Sequence, residues 1–306
     1  MKQYETVVVG GGPAGLNAAL VLGRCRRKTL LFDTGQYRNK SSQALHCFMS
    51  HDGIAPENLL SLARQQLEPY ESVQIANAEV SRIERGEGGF LITTGIGAVQ
   101  AHTVLVATGV VDELPEIRGI RALFGRSVHV CPYCDGWEHR DAPVAAYGKA
   151  NKGVGLALLL RQWTRDLVLC TNGPGDIEEA DRRKLHARGI AIREDRIARL
   201  EGVDGCLRNV VFANGQILPR RALFFNTGQH PRSTLLQNLG ARYGSQGVEC
   251  DEYGLTSIPG IYVAGDVSRD VQLAIIAAVE GARAALAINR ALVSAETTAM
   301  EISRSA

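Results

Sequence analysis

The sequence predicts an α/β fold built from two βαβ units, the second inserted into the first. Three observations carry this reading. A β-branched run, Thr6-Val7-Val8-Val9, leads into the turn Gly10-Gly11-Gly12-Pro13-Ala14-Gly15 and then an Ala/Leu-rich stretch. The same order returns with a strand at 143–147, a glycine-bounded turn at 148–153 and an apolar stretch at 154–164. Near the end, Gly260-Ile261-Tyr262-Val263-Ala264-Gly265-Asp266 again reads as a strand running into a turn. Apolar β-branched runs suit parallel strands covered on both faces, and alternation with helical stretches marks α/β architecture.

Taken in order, strand 6–9 is followed by a helix over 16–24 and a second strand over 28–33. Residues 34–55 read as a polar loop. Pro56 then opens a helix to about Tyr70, at the first-turn position where its missing N–H costs nothing. Strands are expected near 73–84, 89–94 and 97–107, with glycine-rich turns between them. In the second unit, strand 166–170 follows the 154–164 helix. A helix near 178–187 and short strands between 190 and 225 come next. A long helix over about 271–293 ends the pattern. The layout is one discontinuous domain, 1–112 and 229–306, with 113–228 inserted. Insertion at surface loops is easy because domain termini lie close together. Hinges are expected near 111–115 and 227–231.

Composition agrees. At roughly 100–200 residues per domain, 306 residues make about two domains. With 33 Gly, only 10 Pro and no G-X-Y period, collagen is excluded, and ordinary charge and apolar content exclude a disordered chain. A net charge of +2 offers no electrostatic footprint for nucleic acid. The short cluster Arg24, Arg26, Arg27, Lys28 reads as a solvated helix end. No apolar run of about 18 residues suggests a membrane span. The chain enters a strand at once, leaving no room for a signal peptide, so a cytoplasmic protein is expected. The seven cysteines do not make a disulfide framework. Five isolated ones, Cys25, Cys47, Cys170, Cys206 and Cys250, read as small buried hydrophobes.

Gly10-x-Gly12-x-x-Gly15 lies between a strand and a helix, the context a dinucleotide fingerprint requires. The first glycine allows the tight turn, the second lets backbone approach a pyrophosphate, and the third lets helix and strand pack closely. The helix N-terminus offers N–H donors to phosphate. Asp33, 18 residues after Gly15, stands where an acidic residue would meet ribose hydroxyls. Val104-Leu105-Val106-Ala107-Thr108-Gly109 is a further buried strand running into a turn. Asp266, after Gly265, suits a helix N-cap. Cys131-Pro132-Tyr133-Cys134 puts two sulfurs within disulfide reach across one helical turn, where a helix N-terminus favours thiolate. Inert buried cysteines or half of a zinc site are the alternatives, but the remaining cysteines and seven histidines supply no second ligand pair of similar spacing.

GGGPAG at 10–15, Ala107-Thr108-Gly109, Cys131-Pro132-Tyr133-Cys134-Asp135-Gly136 and Ala264-Gly265-Asp266 occur in that order and at matching separations. The combination resembles the low-molecular-weight thioredoxin reductases, flavoproteins of the class II pyridine-nucleotide-disulfide oxidoreductase type. It covers nearly the whole chain. The resemblance implies two dinucleotide-binding, Rossmann-like domains, with FAD in the first and the redox pair in the inserted second. It implies a disulfide oxidoreductase passing electrons between flavin, the cysteine pair and a thioredoxin-like or small dithiol/disulfide partner, and it implies a homodimer. Cofactor contacts would fall on Gly10, Gly12, Pro13, Ala14, Gly15, Asp33, Asn39, His46, Val80, Thr108, Gly109, Gly265, Asp266, Gln272 and Leu273. Cys134 would face the flavin, Cys131 would exchange with substrate, and Asp135 would act as general acid or merely cap a helix.

Two departures bear on electron flow. The second turn reads Gly148-Lys149-Ala150-Asn151-Lys152-Gly153, with Ala150 where the family's NADPH-binding members carry the middle glycine. Alanine does not readily adopt φ > 0. The next turn, 169–176, is acidic and Pro/Gly-rich, with no arginine for a 2′-phosphate. Lys149 and Lys152 could still attract phosphate, so NADPH use stays open. Second, the segments 46–56, Trp137-Glu138 and Leu160-Arg161-Gln162-Trp163 look like the gliotoxin- and holomycin-type dithiol oxidases. An oxygen-dependent oxidase of a small dithiol is therefore one alternative function, and a non-enzymatic flavin redox sensor is another. His46 or His51 would be a base near flavin or cysteines, or a solvated loop residue.

Overall fold

The computed structural model describes residues 1–244, 247–268 and 271–305, with side chains to Ser303. By their contacts they form two compact units: 1–38, 48–111 and 231–306 in one, and 39–47 with 112–230 in the other. The chain crosses between the units at 111/112 and at 230/231. The segment 39–47 differs, since it packs with the inserted unit.

In the first unit, β1 (Lys2–Val9) feeds the glycine turn and α1 (Pro13–Arg24), followed by β2 (Thr29–Asp33). The helix starts at Pro13, three residues before the expected start, because Pro13 itself takes the first-turn position. After the loop come α2 (Pro56–Gln65), β3 (Val73–Asn77), β4 (Val80–Gly86), β5 (Gly89–Thr94), β6 (Gly97–Val106) and β7 (Val110–Asp112). The α2 helix stops at Gln65, and 66–70 continue as turns.

The second unit holds α3 (Ile120–Leu123), β8 (Val128–His129), α4 (Pro132–Asp135), β9 (Val144–Tyr147), α5 (Ala150–Leu160), β10 (Leu167–Cys170), α6 (Glu179–Ala187) and β11 (Ala191–Arg193). It continues with β12 (Ile197–Val203), β13 (Cys206–Phe212), β14 (Ile217–Pro219), β15 (Ala222–Phe225) and β16 (Gln229–Pro231). The chain returns to the first unit for α7 (Leu235–Asn238), β17 (Tyr243–Gly244), β18 (Gly247–Val248), β19 (Ile261–Val263) and α8 (Ala274–Ser305).

The first unit's main sheet runs β3-β2-β1-β6-β5-β4, with β19 on β6. Strands β1, β2, β3, β6 and β19 are parallel, whereas β4-β5-β6 form an antiparallel flap. The alternating faces of β1 bury Val7 and Val9 in one core and Val8 in another. The second unit's parallel sheet runs β11-β10-β9-β15-β8, flanked by the antiparallel β12-β13-β14. Here Val144 and Ala146 face one core and Ala145 the other. The crossings occur in β7 and β16, which pair as a two-stranded ribbon.

Several expectations are corrected. The C-terminal helix starts at Ala274 and runs through Ser305, beyond the expected end at 293. Asp266 therefore stands eight residues before that helix and does not cap it. The α5 helix begins at Ala150, four residues before the expected start, so the second turn is shorter. Arg27 is not solvated: it is buried and pairs with Glu5 (2.5 Å) and Glu296, while its Nε donates to Asn289 (2.7 Å). The paired carboxylates raise its pKa further. This cluster ties the end of α1 to α8. Of the five isolated cysteines only Cys170 is fully buried, and burial pushes its thiol up to about 12. Cys47 and Cys206 are exposed. Among the described residues, no helix is long and apolar enough to cross a membrane.

Candidate active site

The first unit gathers the dinucleotide fingerprint at the carboxyl ends of its parallel strands, where open α/β sheets bind ligands. Gly10 sits at φ +113°, a conformation other L-residues rarely adopt. A Cβ on Gly15 would overlap the Gly10 carbonyl oxygen, so this glycine lets α1 close onto its own turn. A Cβ on Gly12 would meet none of the described residues within 4 Å. Open space at the second glycine of the motif is what an approaching phosphate needs. Pro13 and Ala14 form the first turn of α1, and a Cβ on Gly265 (φ +78°) would come within 3.1 Å of the Ala14 Cβ.

Asp33 braces this turn. Its Oδ1 accepts from the Gly11 N–H (3.3 Å) and the Gly35 N–H (3.1 Å), and Oδ2 pairs with Arg64. An ionised carboxylate has about four acceptor positions, so one remains for a ligand hydroxyl. Asp266 pairs with Arg38 (2.9 Å), whose Nη1 also donates to Gln272 Oε1 (2.5 Å). Two buried polar atoms here, Thr108 Oγ1 and Gln272 Nε2, have no hydrogen-bond partner among the described residues. Orphaned buried polar atoms are costly and point to a ligand. Beside them lie Gly109 and Leu273, while Val80 opens β4 with its side chain in the core. Open space, a helix start and orphaned donors together fit a dinucleotide cofactor. Asn39 and His46 behave differently: they belong by their contacts to the second unit, where His46 Nε2 lies 3.4 Å from Glu138. His51 is in the first unit, with its Nδ1 2.9 Å from Ser50 Oγ.

In the second unit Cys131 and Cys134 form a disulfide, with Cα atoms 5.3 Å apart. Cys131 is the N-cap of the single-turn α4, and the Cys134 N–H donates to its Sγ (3.1 Å). That donor would also stabilise a thiolate on Cys131 after reduction. The turn is packed from behind. A Cβ on Gly136 would come within 2.9 Å of the Trp163 ring, and Tyr133 meets Trp163 edge to face. Thus the Leu160–Trp163 segment supports the disulfide turn. Tyr133 and Trp137 are themselves exposed on either side of Cys134.

Asp135 lies 3.2 Å from His129 Nδ1, and His129 Nε2 lies 3.0 Å from His139 Nε2. Burial, then the neighbouring His129, lowers the His139 pKa from 6.5 to about 4. No motif marks either histidine, so reading along the sequence missed them; the only signal was their nearness to the cysteines. The unfolded chain protonates this ring below about pH 6.5, whereas the folded chain does so only near 4. Its contribution to stability is therefore intact above 6.5 and is lost as pH falls towards 4. We expect His139→Gln to lose less stability than the parent over that window, as read by urea unfolding at a series of pH values.

The second βα turn differs from the first. Gly148 and Gly153 still approach closely, a Cβ on Gly148 coming within 2.8 Å of Gly153 Cα. Ala150 does adopt positive φ (+45°), contrary to expectation. Its N–H, which opens the helix, donates to the Gly175 carbonyl (2.8 Å) of the following loop. The Gly175 N–H in turn donates to Glu194 (3.1 Å), which pairs with Arg182 (2.7 Å). A non-glycine residue at φ > 0 costs about 1 kcal/mol, so Ala150→Gly is expected to raise the melting temperature slightly, as measured by calorimetry.

A dinucleotide-binding unit carrying an inserted second unit with a redox disulfide defines a flavin-dependent disulfide oxidoreductase. The chain belongs to the pyridine nucleotide-disulphide oxidoreductase family, whose model matches residues 4–281. Within that family it is thioredoxin-reductase-like. It is 31% identical to a probable thioredoxin reductase from Arthroderma benhamiae, covering 88% of this chain and 75% of that protein. The crystal structure of HlmI superposes with a TM-score of 0.95 at 37% identity, covering 99% of this chain and 96% of that one. A putative thioredoxin reductase TrxB from Bacillus anthracis gives 0.91 at 34% identity, covering 96% and 99%. The family implies FAD, and the first unit's residues fit it.

Proposed function

We propose that the protein exchanges a dithiol/disulfide substrate at the Cys131–Cys134 pair, with FAD in the first unit and no nicotinamide dinucleotide held by the second. One observation carries the second half of this reading: the Ala150 N–H is bonded to the Gly175 carbonyl. In a phosphate-binding turn the backbone N–H groups at the helix start point at the ligand. Here a loop carbonyl takes that donor, and a negative carboxylate, Glu194, anchors the loop. The side chain of Ala150 stands where glycine would let a pyrophosphate approach.

Gly10, Gly12, Pro13, Ala14, Gly15 and Asp33 would hold the nucleotide half of FAD, and Thr108, Gly109, Gly265, Asp266, Gln272 and Leu273 the remainder. Bound FAD supplies a two-electron partner for the cysteine pair. Cys131 receives the substrate sulfur, Cys134 leaves as thiolate, and Asp135 moves the proton. The exposed Tyr133 and Trp137 give a substrate apolar surface next to the pair. A thioredoxin-like protein is the substrate class this favours, consistent with what the relatives' names describe. The homodimer implied by the resemblance belongs to this reading; sedimentation should return twice the 33.0 kDa chain.

An anaerobic titration of the flavin-loaded protein tests the donor. Dithiothreitol should bleach the oxidised flavin band, and stoichiometric NADPH should leave it unchanged over minutes. Rapid bleaching by NADPH would overturn the nicotinamide part. Failure of dithiols to bleach it would overturn the exchange itself.

A further inference from the structure

Neither His129 nor His139 belongs to any motif quoted above, yet the two stand in line behind Asp135. His129 is the second residue of β8, only 5% exposed, and β15 places Phe224 beside it with ring centroids 5.2 Å apart. Its Nδ1 meets Asp135 Oδ1 at 3.2 Å, and its Nε2 meets His139 Nε2 at 3.0 Å. His139 closes the short 3₁₀ turn Trp137–His139 and is half-buried. The charged groups bearing on His139, besides His129, are Asp135 from α4 and Arg221 just ahead of β15; β15 otherwise presents the apolar Phe224.

Hydrogen-bond chemistry restricts the protonation states. An ionised carboxylate only accepts, so beside it His129 Nδ1 carries hydrogen. The contact between the two Nε2 atoms needs one donor and one acceptor. A neutral His139 satisfies it in either tautomer. It donates when His129 is neutral and accepts when His129 is an imidazolium. A proton can therefore enter or leave His129 with both contacts kept. These tautomers follow from the network.

We propose that His129, backed by His139, is the positioning and proton-storing partner of Asp135. The inference rests on the exchange reading above. In the first step a substrate thiol gives its proton to Asp135 and attacks Cys131 Sγ as thiolate. The substrate–Cys131 S–S bond forms, and the Cys131–Cys134 bond breaks. Cys134 leaves with the electron pair and takes up a proton. In the second step the other substrate thiol is deprotonated and attacks the substrate sulfur bound to Cys131. Cys131 leaves and is protonated. Two electrons and two protons have passed from the substrate dithiol to the cysteine pair. A single carboxylate must serve both steps: each proton that Asp135 takes from a thiol is held between Asp135 and His129 and is the one delivered to the leaving cysteine, so the carboxylate is ionised again before the next thiol attacks.

The test is stopped-flow reaction of the oxidised holoenzyme with dithiothreitol across about pH 5.5 to 8.5. His129→Gln keeps an N–H donor towards Asp135 but cannot carry the proton. A merely structural role would change the rate by the same factor at every pH. The proposal expects the wild-type/variant rate ratio to change by about tenfold across the range. A flat ratio overturns it. Should His129→Gln fail to fold, His139→Gln, at a half-buried position, serves instead. Its ratio should change at least about threefold, and a flat ratio again overturns the proposal. If the wild-type protein does not react with dithiothreitol at any pH, the exchange reading falls and this inference with it.

Discussion

Replacing Cys134 with serine should stop dithiol–disulfide turnover, lowering kcat by at least about 10³-fold. A serine hydroxyl forms no S–S bond, so the two-step exchange has no second sulfur to accept electrons. The variant retains Cys131, whose thiol should attack the disulfide of the oxidised substrate and hold one of its sulfurs as a mixed disulfide, the other substrate sulfur leaving as a thiol. Cys131→Ser should be as inactive but should trap none, because Cys134 is the leaving group in this assignment. Non-reducing electrophoresis with a thioredoxin-like substrate separates the two outcomes. Trapping by Cys131→Ser and not by Cys134→Ser would reverse the roles. A disulfide closing so short a loop contributes no more than about 2 kcal/mol. Circular dichroism melting should accordingly show both variants folded, which isolates the chemical loss.

The second large effect separates glycines that serve the fold from the one that serves the cofactor. A Cβ on Gly281, in α8, would overlap the backbone carbonyl of Ala14 in α1. The two helices would have to part, disturbing the core containing Ala14, Ala18, Ala284 and Ile288. Gly281→Ala is expected to destabilise by about 3 kcal/mol, the upper end of the range for overpacked cores. Gly12→Ala should do the opposite. Its Cβ meets none of the described residues within 4 Å, so apoprotein stability should stay within about 1 kcal/mol. Its affinity for FAD should nevertheless fall at least about a hundredfold, because the methyl group occupies the approach of the pyrophosphate. Fluorescence titration of free flavin and chemical unfolding of the apoprotein measure the two quantities separately. Equal FAD affinity in Gly12→Ala would remove this turn from the cofactor site.

Much of the molecule could be read along the chain because its signals are local. The β-branched run of β1, the glycine turn and the Ala/Leu helix lie within about twenty residues, and each element declares its neighbour. The same holds for Cys131, Cys134 and Asp135, which share one turn. Boundaries were harder. Pro13 belongs to α1 although it stands inside the glycine motif, and α8 runs to Ser305, with Glu296 paired to Arg27 of another element. The Arg27–Glu296 pairing has no signature in the residues next to either partner.

The two glycine turns show where the division falls. Order, spacing and residue type alone established two βαβ units, an intact first fingerprint, an altered second one and a redox cysteine pair, since these depend on short-range backbone geometry. The partners of those motifs come from residues far apart in sequence. Arg64 reaches Asp33, Arg38 joins Asp266 to Gln272, and Gly281 lets α8 close on α1. Gly175 occupies the Ala150 N–H. Such pairings depend on which strands lie side by side and how closely helices approach, and chain folding alone brings those atoms together.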